Sequence, residues 1–198
     1  EPVGSTATIV ANMYWHRSVE ITPVIAGLLL AAVVSDTLLF KSPTATEKDR
    51  ETAKKLAGIA GLNLDEFGLA VLKAGSSLAN LTPGDIAHND MKEFQMGEYR
   101  VVISQISVLE PDEVLTQKEE VLAAMEAMRS REQYDMVLLM VTDIIREGTH
   151  LLYTGHPRSI LRTAFGVGGD DGLWFLPGVM SRKKQVVPPM VAASREES

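Results

Sequence analysis

Hydrophobic and polar positions in the first third of the chain follow helical patterns. Thr22 and Pro23 are typical of a helix start, because threonine is a good cap and proline fits the first helical position. Residues 24–34 are apolar without interruption, which predicts a buried helix rather than a surface one. The apolar run ends at residues 35–37, where Asp36 is the first charged residue.

Two further helices are expected before residue 75. Residues 46–60 are amphipathic and are followed by Gly61, which predicts a helix closed by a glycine cap. Residues 64–72 predict a second helix, and Asn63 just before them is a suitable cap.

Small and turn-forming residues separate this part of the chain from the rest. Residues 74–77 read Ala, Gly, Ser, Ser, and residues 82–84 read Thr, Pro, Gly. Such a composition is typical of linkers. We therefore expect a linker at residues 75–81.

The pattern changes beyond this linker. Residues 99–106 are rich in β-formers, residues 112–129 predict one long helix, and residues 136–141 are continuously apolar. A continuous apolar run of that length is typical of a strand buried on both faces. Shorter elements are expected after it: strands at 150–153 and 173–176 and a helix at 157–165. Strands that alternate with helices predict an α/β protein of two parts.

Composition and charge limit the partners of the chain. Its 198 residues carry a formal net charge of -7, and the pI is about 5.1. An acidic chain is a poor partner for nucleic acid, which needs a basic surface. A small polyanion remains possible, because it needs only a few cations at one spot.

The chain contains no cysteine, which excludes a disulfide, a thiolate metal site and a cysteine nucleophile. This absence fits a reducing cytoplasm. The longest apolar run, residues 24–34, is too short to cross a bilayer, so no membrane span is expected. The chain begins without methionine, which suggests that upstream sequence is missing.

The most concentrated cationic spot lies at residues 181–185, which read Ser, Arg, Lys, Lys, Gln. Adjacent cations repel one another, so binding of an anion would relieve the repulsion within an unpaired cluster. The guanidinium of Arg182 suits two phosphate oxygens, and Lys183 and Lys184 are compact point charges. Most charge runs are simply exposed, however, and on charge alone a solvated surface turn is the favoured interpretation.

Two further residues are weaker candidates on sequence grounds. Lys92 is a lone lysine in a mixed segment, which is typical of the surface. Asp36 follows a long apolar run, so it could be a solvent-exposed helix end, a cap for the next turn or a ligand of a hard metal ion. The histidines show no metal-ligand spacing, and we expect all of them to be structural or exposed: His16, His88, His150 and His156.

Five segments together resemble successive signatures of the family II inorganic pyrophosphatases, which belong to the DHH phosphoesterases. They occur in the family's order over nearly the whole chain. The Ser-Asp-Thr and Ser-Arg-Lys-Lys-Gln motifs are the most specific. The segments are residues 1–8 (EPVGSTAT), 26–32 (AGLLLAA), 35–44 (SDTLLFKSPT), 90–94 (DMKEF) and 181–188 (SRKKQVVP).

The resemblance implies a fold and a domain organisation. The family has an N-terminal α/β domain that holds the metals and a smaller C-terminal α/β domain that binds substrate, with the active site between them. Residues 1–74 would be the tail of the N-terminal domain, and residues 75–81 the linker. Residues 82–198 would be the complete DHH-associated domain, a mixed sheet flanked by helices.

The resemblance also implies roles for individual residues. Lys92, Arg182 and Lys183 match the family's phosphate-binding side chains, and Asp36 matches a metal-ligand aspartate. Ser181 and Gln185 would orient the loop. The role of Lys184 stays open. A regular strand would place Arg182 and Lys184 on one face without Lys183, so this assignment implies a bend at the cluster.

In the parent enzyme the resemblance implies Mn²⁺ or Co²⁺, with Mg²⁺ accompanying the pyrophosphate, and a metal-activated hydroxide as nucleophile. The family's other metal ligands lie upstream, and none is present in the 198 residues. The chain would therefore need that upstream domain segment as a partner and would be inactive alone. The parent enzyme is expected to be a homodimer. Two alternatives stay open: an exopolyphosphatase-like phosphoesterase and a non-catalytic phosphate-binding regulatory module.

Overall fold

A computed structural model describes residues 2–75, 78, 81–166 and 172–196. The chain divides into two compact units, Glu1–Ser76 and Ser77–Ser198. Whether these units are the tail of a metal-binding domain and a DHH-associated domain stays a prediction. No helix in the described ranges is long and apolar enough to cross a membrane.

Helices make up the secondary structure described in the first unit. Side-chain caps define several of their starts, as the sequence predicted: Thr22 accepts a hydrogen bond from the backbone of Ile25, and Asn63 accepts two from the following turn. Gly61 ends the third helix in the left-handed conformation, with φ of 68°. The helices are α1 Thr6–His16, α2 Pro23–Thr37, α3 Glu47–Ala60 and α4 Leu64–Gly75.

The prediction that residues 24–34 are buried all round is wrong for this chain. Leu30 and Val33 of α2 are fully buried, but Val24 is 73% exposed and Leu28 is 65% exposed. The reason is that α2 packs on α3 and α4 with only part of its circumference. The uninterrupted apolar run therefore predicted the helix correctly, but it did not indicate which side of the helix packs against the other helices.

The second unit is built around a five-stranded mixed sheet with the strand order β1-β2-β3-β4-β5. β2 and β3 are parallel, and every other neighbouring pair is antiparallel. The expected α/β fold with a mixed sheet and flanking helices is confirmed. The strands are β1 Lys92–Met96, β2 Tyr99–Val108, β3 Met136–Asp143, β4 Gly148–Gly155 and β5 Leu173–Pro177.

Helices cover both faces of this sheet and explain why β3 is buried along its whole length. Alternate residues of a strand point to opposite faces. Val137 and Leu139 therefore pack with α5 and α7, while Leu138 and Met140 pack with α8 and α9. The helices are α5 Pro83–His88, α6 Asp112–Leu115, α7 Lys118–Glu132, α8 Arg158–Phe165 and α9 Val187–Glu196, and a π-helical turn, Arg182–Val186, precedes α9.

Two details differ from the sequence-based expectation. The helix expected at 112–129 is two helices, because the chain breaks at Thr116 and Gln117 between α6 and α7. Thr82, just after the expected linker, caps α5, since it exchanges hydrogen bonds with Asp85 in a capping box. α4 extends to Gly75, and residues 76, 77, 79 and 80 of the expected linker lie outside the described residues.

Candidate phosphate-binding site

The segment at residues 178–185 is held by the side-chain amide of Gln185. Its oxygen accepts hydrogen bonds from the backbone N–H groups of Met180 (2.9 Å) and Ser181 (3.0 Å), and its nitrogen donates to the carbonyl of Gly178 (2.7 Å). Ser181 caps the following turn by accepting a 3.3 Å bond from the backbone of Lys184. The segment is thus a turn rather than a strand, as the resemblance implied.

Polar side chains of the sheet also hold this segment, through hydrogen bonds to its backbone carbonyls. Gln105 of β2 donates to Thr142 Oγ1 and to the carbonyl of Met180, each over 3.1 Å. Thr149 of β4 donates to the carbonyl of Val179 over 2.6 Å. Gln105 and Thr149 come from β2 and β4 of one sheet, so the backbone before the cationic cluster has a defined place on the fold.

Arg182 turns inward from this segment, and its side chain is only 7% exposed. Its Nη1 atom donates to the carbonyls of Asp90 and Ile103, the latter over 2.8 Å, and its Nη2 atom donates to Asp90 Oδ2 over 2.8 Å. The premise of three unpaired adjacent cations is therefore wrong for Arg182. The helical turn directs Arg182 towards the sheet, whereas Lys183 and Lys184 are exposed.

Lys92 is the first residue of β1 and lies directly opposite Ile103 in the antiparallel register. Paired residues in such a ladder project from the same face of the sheet. Ile103 packs in the core beneath α9, so Lys92 lies on the face that carries Arg182. The structure thus brings together the segments of Lys92, Arg182 and Lys183, which are far apart in the sequence.

The hydrogen bonds of Arg182 leave part of its guanidinium available. An arginine carries five N–H donors, and three of them are used by Asp90 and Ile103. Among the described residues, the Nε–H and one Nη2–H have no partner, and these neighbouring nitrogens can bind two oxygens of one phosphate group. Two exposed lysines, Lys92 and Lys183, add positive charge to the same region. This arrangement can bind a small multivalent phosphate.

Asp36 lies in the last turn of α2 in the first unit, and its carboxylate is exposed. Ser5 donates a 2.6 Å hydrogen bond to Asp36 Oδ2. A carboxylate is the ligand type that suits manganese. No group of three possible ligands occurs among the described residues, so these residues provide one fitting ligand and do not form a metal centre on their own.

Asp49 is a structurally important residue that sequence reasoning did not single out. Its buried carboxylate accepts hydrogen bonds from Gly4 N (2.8 Å), Thr8 Oγ1 (2.6 Å) and both the backbone and the hydroxyl of Thr46 (2.8 and 2.7 Å). Burial raises the pKa of Asp49, but the bonds from Thr8, Thr46 and Gly4 outweigh it and hold the pKa below its ordinary value. Its capping box with Thr46 was the only signal in the sequence.

The histidines agree with the expectation of structural or exposed roles. His16 and His156 are exposed, and His88 bonds to the carbonyl of Gly84 over 2.7 Å. His150 packs against Phe175 with ring centres 4.8 Å apart, and burial lowers its pKa. Within the described ranges none belongs to a group that could hold a metal.

Comparisons with known proteins agree with the motifs. Residues 69–193 match the model of the DHHA2 domain. A Methanocaldococcus jannaschii protein named manganese-dependent inorganic pyrophosphatase is 44% identical over 98% of this chain. A Staphylococcus haemolyticus protein named "probable manganese-dependent inorganic pyrophosphatase" is 47% identical over 98% of the chain. These matches confirm the resemblance that the sequence motifs indicated.

A solved structure is similar as well. The crystal structure described as a "Methanococcus jannaschii putative family II inorganic pyrophosphatase" matches 98% of this chain with a TM-score of 0.87 and 43% identity. The chain spans 62% of the Staphylococcus protein and 66% of the Methanocaldococcus protein, which is less than two thirds of either.

Proposed function

The chain belongs to the DHHA2 domain family, and on this premise we propose that it is the phosphate-binding part of a manganese-dependent inorganic pyrophosphatase. Lys92, Arg182 and Lys183 bind the pyrophosphate, and Asp36 is one ligand of the metal centre. The names of the relatives support hydrolysis of pyrophosphate as the reaction of the parent enzyme.

The observation that carries this proposal is the placement of Arg182. A buried guanidinium held by three hydrogen bonds keeps a fixed orientation, so its remaining donors can face a ligand without further ordering. Phosphoryl transfer depends on positioning and on neutralising the charge of the phosphoryl oxygens. Arg182 supplies a fork for two of these oxygens, while Lys92 and Lys183 supply mobile positive charge.

Manganese, when bound, supplies a metal-activated hydroxide as the nucleophile. Asp36 is the residue of this chain that would contact it, and Ser5 holds one oxygen of that carboxylate. Co²⁺ as an alternative metal and Mg²⁺ as the companion of the substrate remain predictions. Four further expectations also remain predictions: a cytoplasmic location, a homodimeric parent enzyme, an upstream domain segment as partner and no binding of nucleic acid.

The central test is the turnover of pyrophosphate by the full-length enzyme. We expect Arg182→Ala to lower kcat by about a hundredfold or more, because charge-assisted hydrogen bonds to phosphate contribute roughly 1.5–3 kcal/mol each. Lys183→Ala is the companion variant, since an exposed side chain can be removed without disturbing the fold, and it should lower kcat/KM about tenfold. Arg131→Ala, an exposed arginine on α7, is the matched control. Wild-type turnover in both Arg182→Ala and Lys183→Ala would refute the proposal.

A second experiment separates this activity from the two alternatives. We expect the full-length enzyme to hydrolyse pyrophosphate in preference to long-chain polyphosphate, whereas an exopolyphosphatase would show the opposite preference. The 198-residue chain alone should bind pyrophosphate without releasing phosphate, because its described residues contain no group of three metal ligands. Manganese-dependent phosphate release by this chain would contradict that expectation.

A further inference from the structure

We propose that Asp90 is a positioning residue for Arg182, holding the guanidinium so that its free edge meets the phosphate. The inference rests on the proposed function of Arg182 as a phosphate ligand and adds to it a residue that does not itself touch the substrate. The two residues are separated by 92 positions in the chain and are joined by both an ion pair and a backbone hydrogen bond.

Asp90 binds Arg182 in two ways. Its carboxylate accepts from Nη2 over 2.8 Å, and its carbonyl accepts from Nη1. Asp90 has a positive φ of 40°, a backbone conformation that glycine, asparagine and aspartate adopt more readily than other residues. The backbone carbonyl and the carboxylate of this one residue thus both contact the Arg182 guanidinium. Within the described part of the chain, Asp90 supplies the only ion pair of Arg182.

This contact does more than fill space in the core, because it fixes the orientation of the Arg182 guanidinium. A buried arginine without a carboxylate is costly, and a long side chain that loses its partner samples several rotamers. Holding two nitrogens of Arg182 fixes the plane of the guanidinium, and with it the direction of the Nε–H and the remaining Nη2–H. Ordering these donors before the ligand arrives lowers the entropic cost of binding.

A negative charge next to an anion site also has an opposing effect, because it repels the ligand. The Asp90 side chain is 56% exposed, whereas that of Arg182 is 7% exposed. Solvent therefore screens the carboxylate, and the repulsion it exerts on a bound phosphate is weakened. We infer that the loss of orientation outweighs the relief of repulsion, so that removing the carboxylate weakens binding.

Loss of orientation would weaken the binding of pyrophosphate, whereas relief of repulsion would strengthen it. The affinity of the 198-residue chain for inorganic pyrophosphate therefore separates the two effects. Titration calorimetry should show about tenfold weaker binding for Asp90→Asn, which corresponds to one charge-assisted hydrogen bond. Asp90→Gly should show the same loss, because glycine keeps the backbone conformation and removes only the carboxylate. Glu93→Gln is the matched control, since this nearby carboxylate bonds to Tyr134 and should leave the affinity unchanged. Tighter binding by both Asp90 variants would overturn the inference.

A double-mutant cycle tests whether Asp90 acts through Arg182. Asp90→Asn should cost about tenfold in the wild-type background and close to nothing in the Arg182→Ala background. Equal losses in both backgrounds would overturn the positioning role. If Arg182→Ala alone leaves the affinity unchanged, the proposed function of Arg182 fails, and the inference fails with it. Thermal unfolding of each variant identifies any that do not fold, and Asp90→Gly then replaces Asp90→Asn in the cycle.

Discussion

The hydroxyl of Ser5 donates a 2.6 Å hydrogen bond to Oδ2 of Asp36 and links the start of α1 to the end of α2. The backbone before Ser5 is held by Asp49, which accepts from Gly4 N. A side chain at position 4 would not fit, because its Cβ would lie 2.8 Å from a methyl group of Thr37 and 3.0 Å from Asp49. The orientation of the candidate metal ligand is thus set by neighbours from three parts of the first unit.

The first prediction concerns Ser5→Ala. If Asp36 is a metal ligand, losing the bond that orients its carboxylate should weaken manganese binding about tenfold or more, as for other partners of metal ligands. Manganese affinity of the full-length enzyme, measured by the electron paramagnetic resonance of the free ion, checks this. Ser35→Ala removes an exposed hydroxyl next to Asp36 and serves as the control. Unchanged affinity in Ser5→Ala would show that the bond has no role in metal binding.

The second prediction concerns Asp49→Asn. A carboxylate only accepts hydrogen bonds, and the groups around Asp49 are donors, so an amide would place its N–H₂ against some of them. We expect the variant to lose roughly 3 kcal/mol of unfolding free energy, because a buried bonding group is left unsatisfied. Urea unfolding measures the loss. Asp65→Asn, an exposed aspartate in the first turn of α4, should be neutral.

Local features of this fold were predictable where short-range physics decides them. Thr22 and Gly61 bound helices because capping depends on neighbouring residues only. The strand at 136–141 was predictable because burial on both faces leaves a continuous apolar run. β1 was missed, because its first residues, Lys92 and Glu93, are exposed and charged and break the alternating pattern.

The candidate site was predictable only in part, because its contacts join residues that are far apart in the sequence. Charge alone favoured a surface turn at residues 181–185, and the family motif was needed to single out Arg182. The Asp90–Arg182 contact joins positions 92 residues apart, and no local pattern signals it. The contacts of Asp49 with Gly4 and Thr8 span 45 and 41 residues in the same way. Such pairs depend on the tertiary fold and become visible only in the structure.

The third prediction concerns pH and Glu126. Hydrogen bonds from Arg129, opposed by burial and aided by Thr154, lower the pKa of Glu126 to about 2 from an ordinary value of 4.5. The unfolded chain therefore binds a proton at higher pH than the folded chain does. The stabilisation by Glu126 is present above about pH 4.5 and is lost as the pH falls towards about 2.

Urea unfolding of wild type and Glu126→Gln at several pH values checks this third prediction. The difference in unfolding free energy should be constant at neutral pH and should shrink below about pH 4.5. Glu120→Gln, an exposed glutamate on the same helix, should show a small difference without this pH dependence. A Glu126→Gln difference as large at pH 2.5 as at neutral pH would contradict the assigned pKa.

The last prediction concerns Gln185, which closes the segment before the cationic cluster with three hydrogen bonds. In Gln185→Ala, the N–H groups of Met180 and Ser181 lose their acceptor, so the turn that presents Arg182 and Lys183 loses its shape. We expect about tenfold weaker binding of pyrophosphate and a loss of roughly 1–3 kcal/mol in unfolding free energy. Calorimetric titration and urea unfolding of the 198-residue chain measure the two effects. Gln117→Ala is the control, because among the described residues its side chain bonds to the carbonyl of Glu113 in α6, outside the cationic cluster. Wild-type affinity in Gln185→Ala would mean that the cluster binds phosphate without this loop geometry.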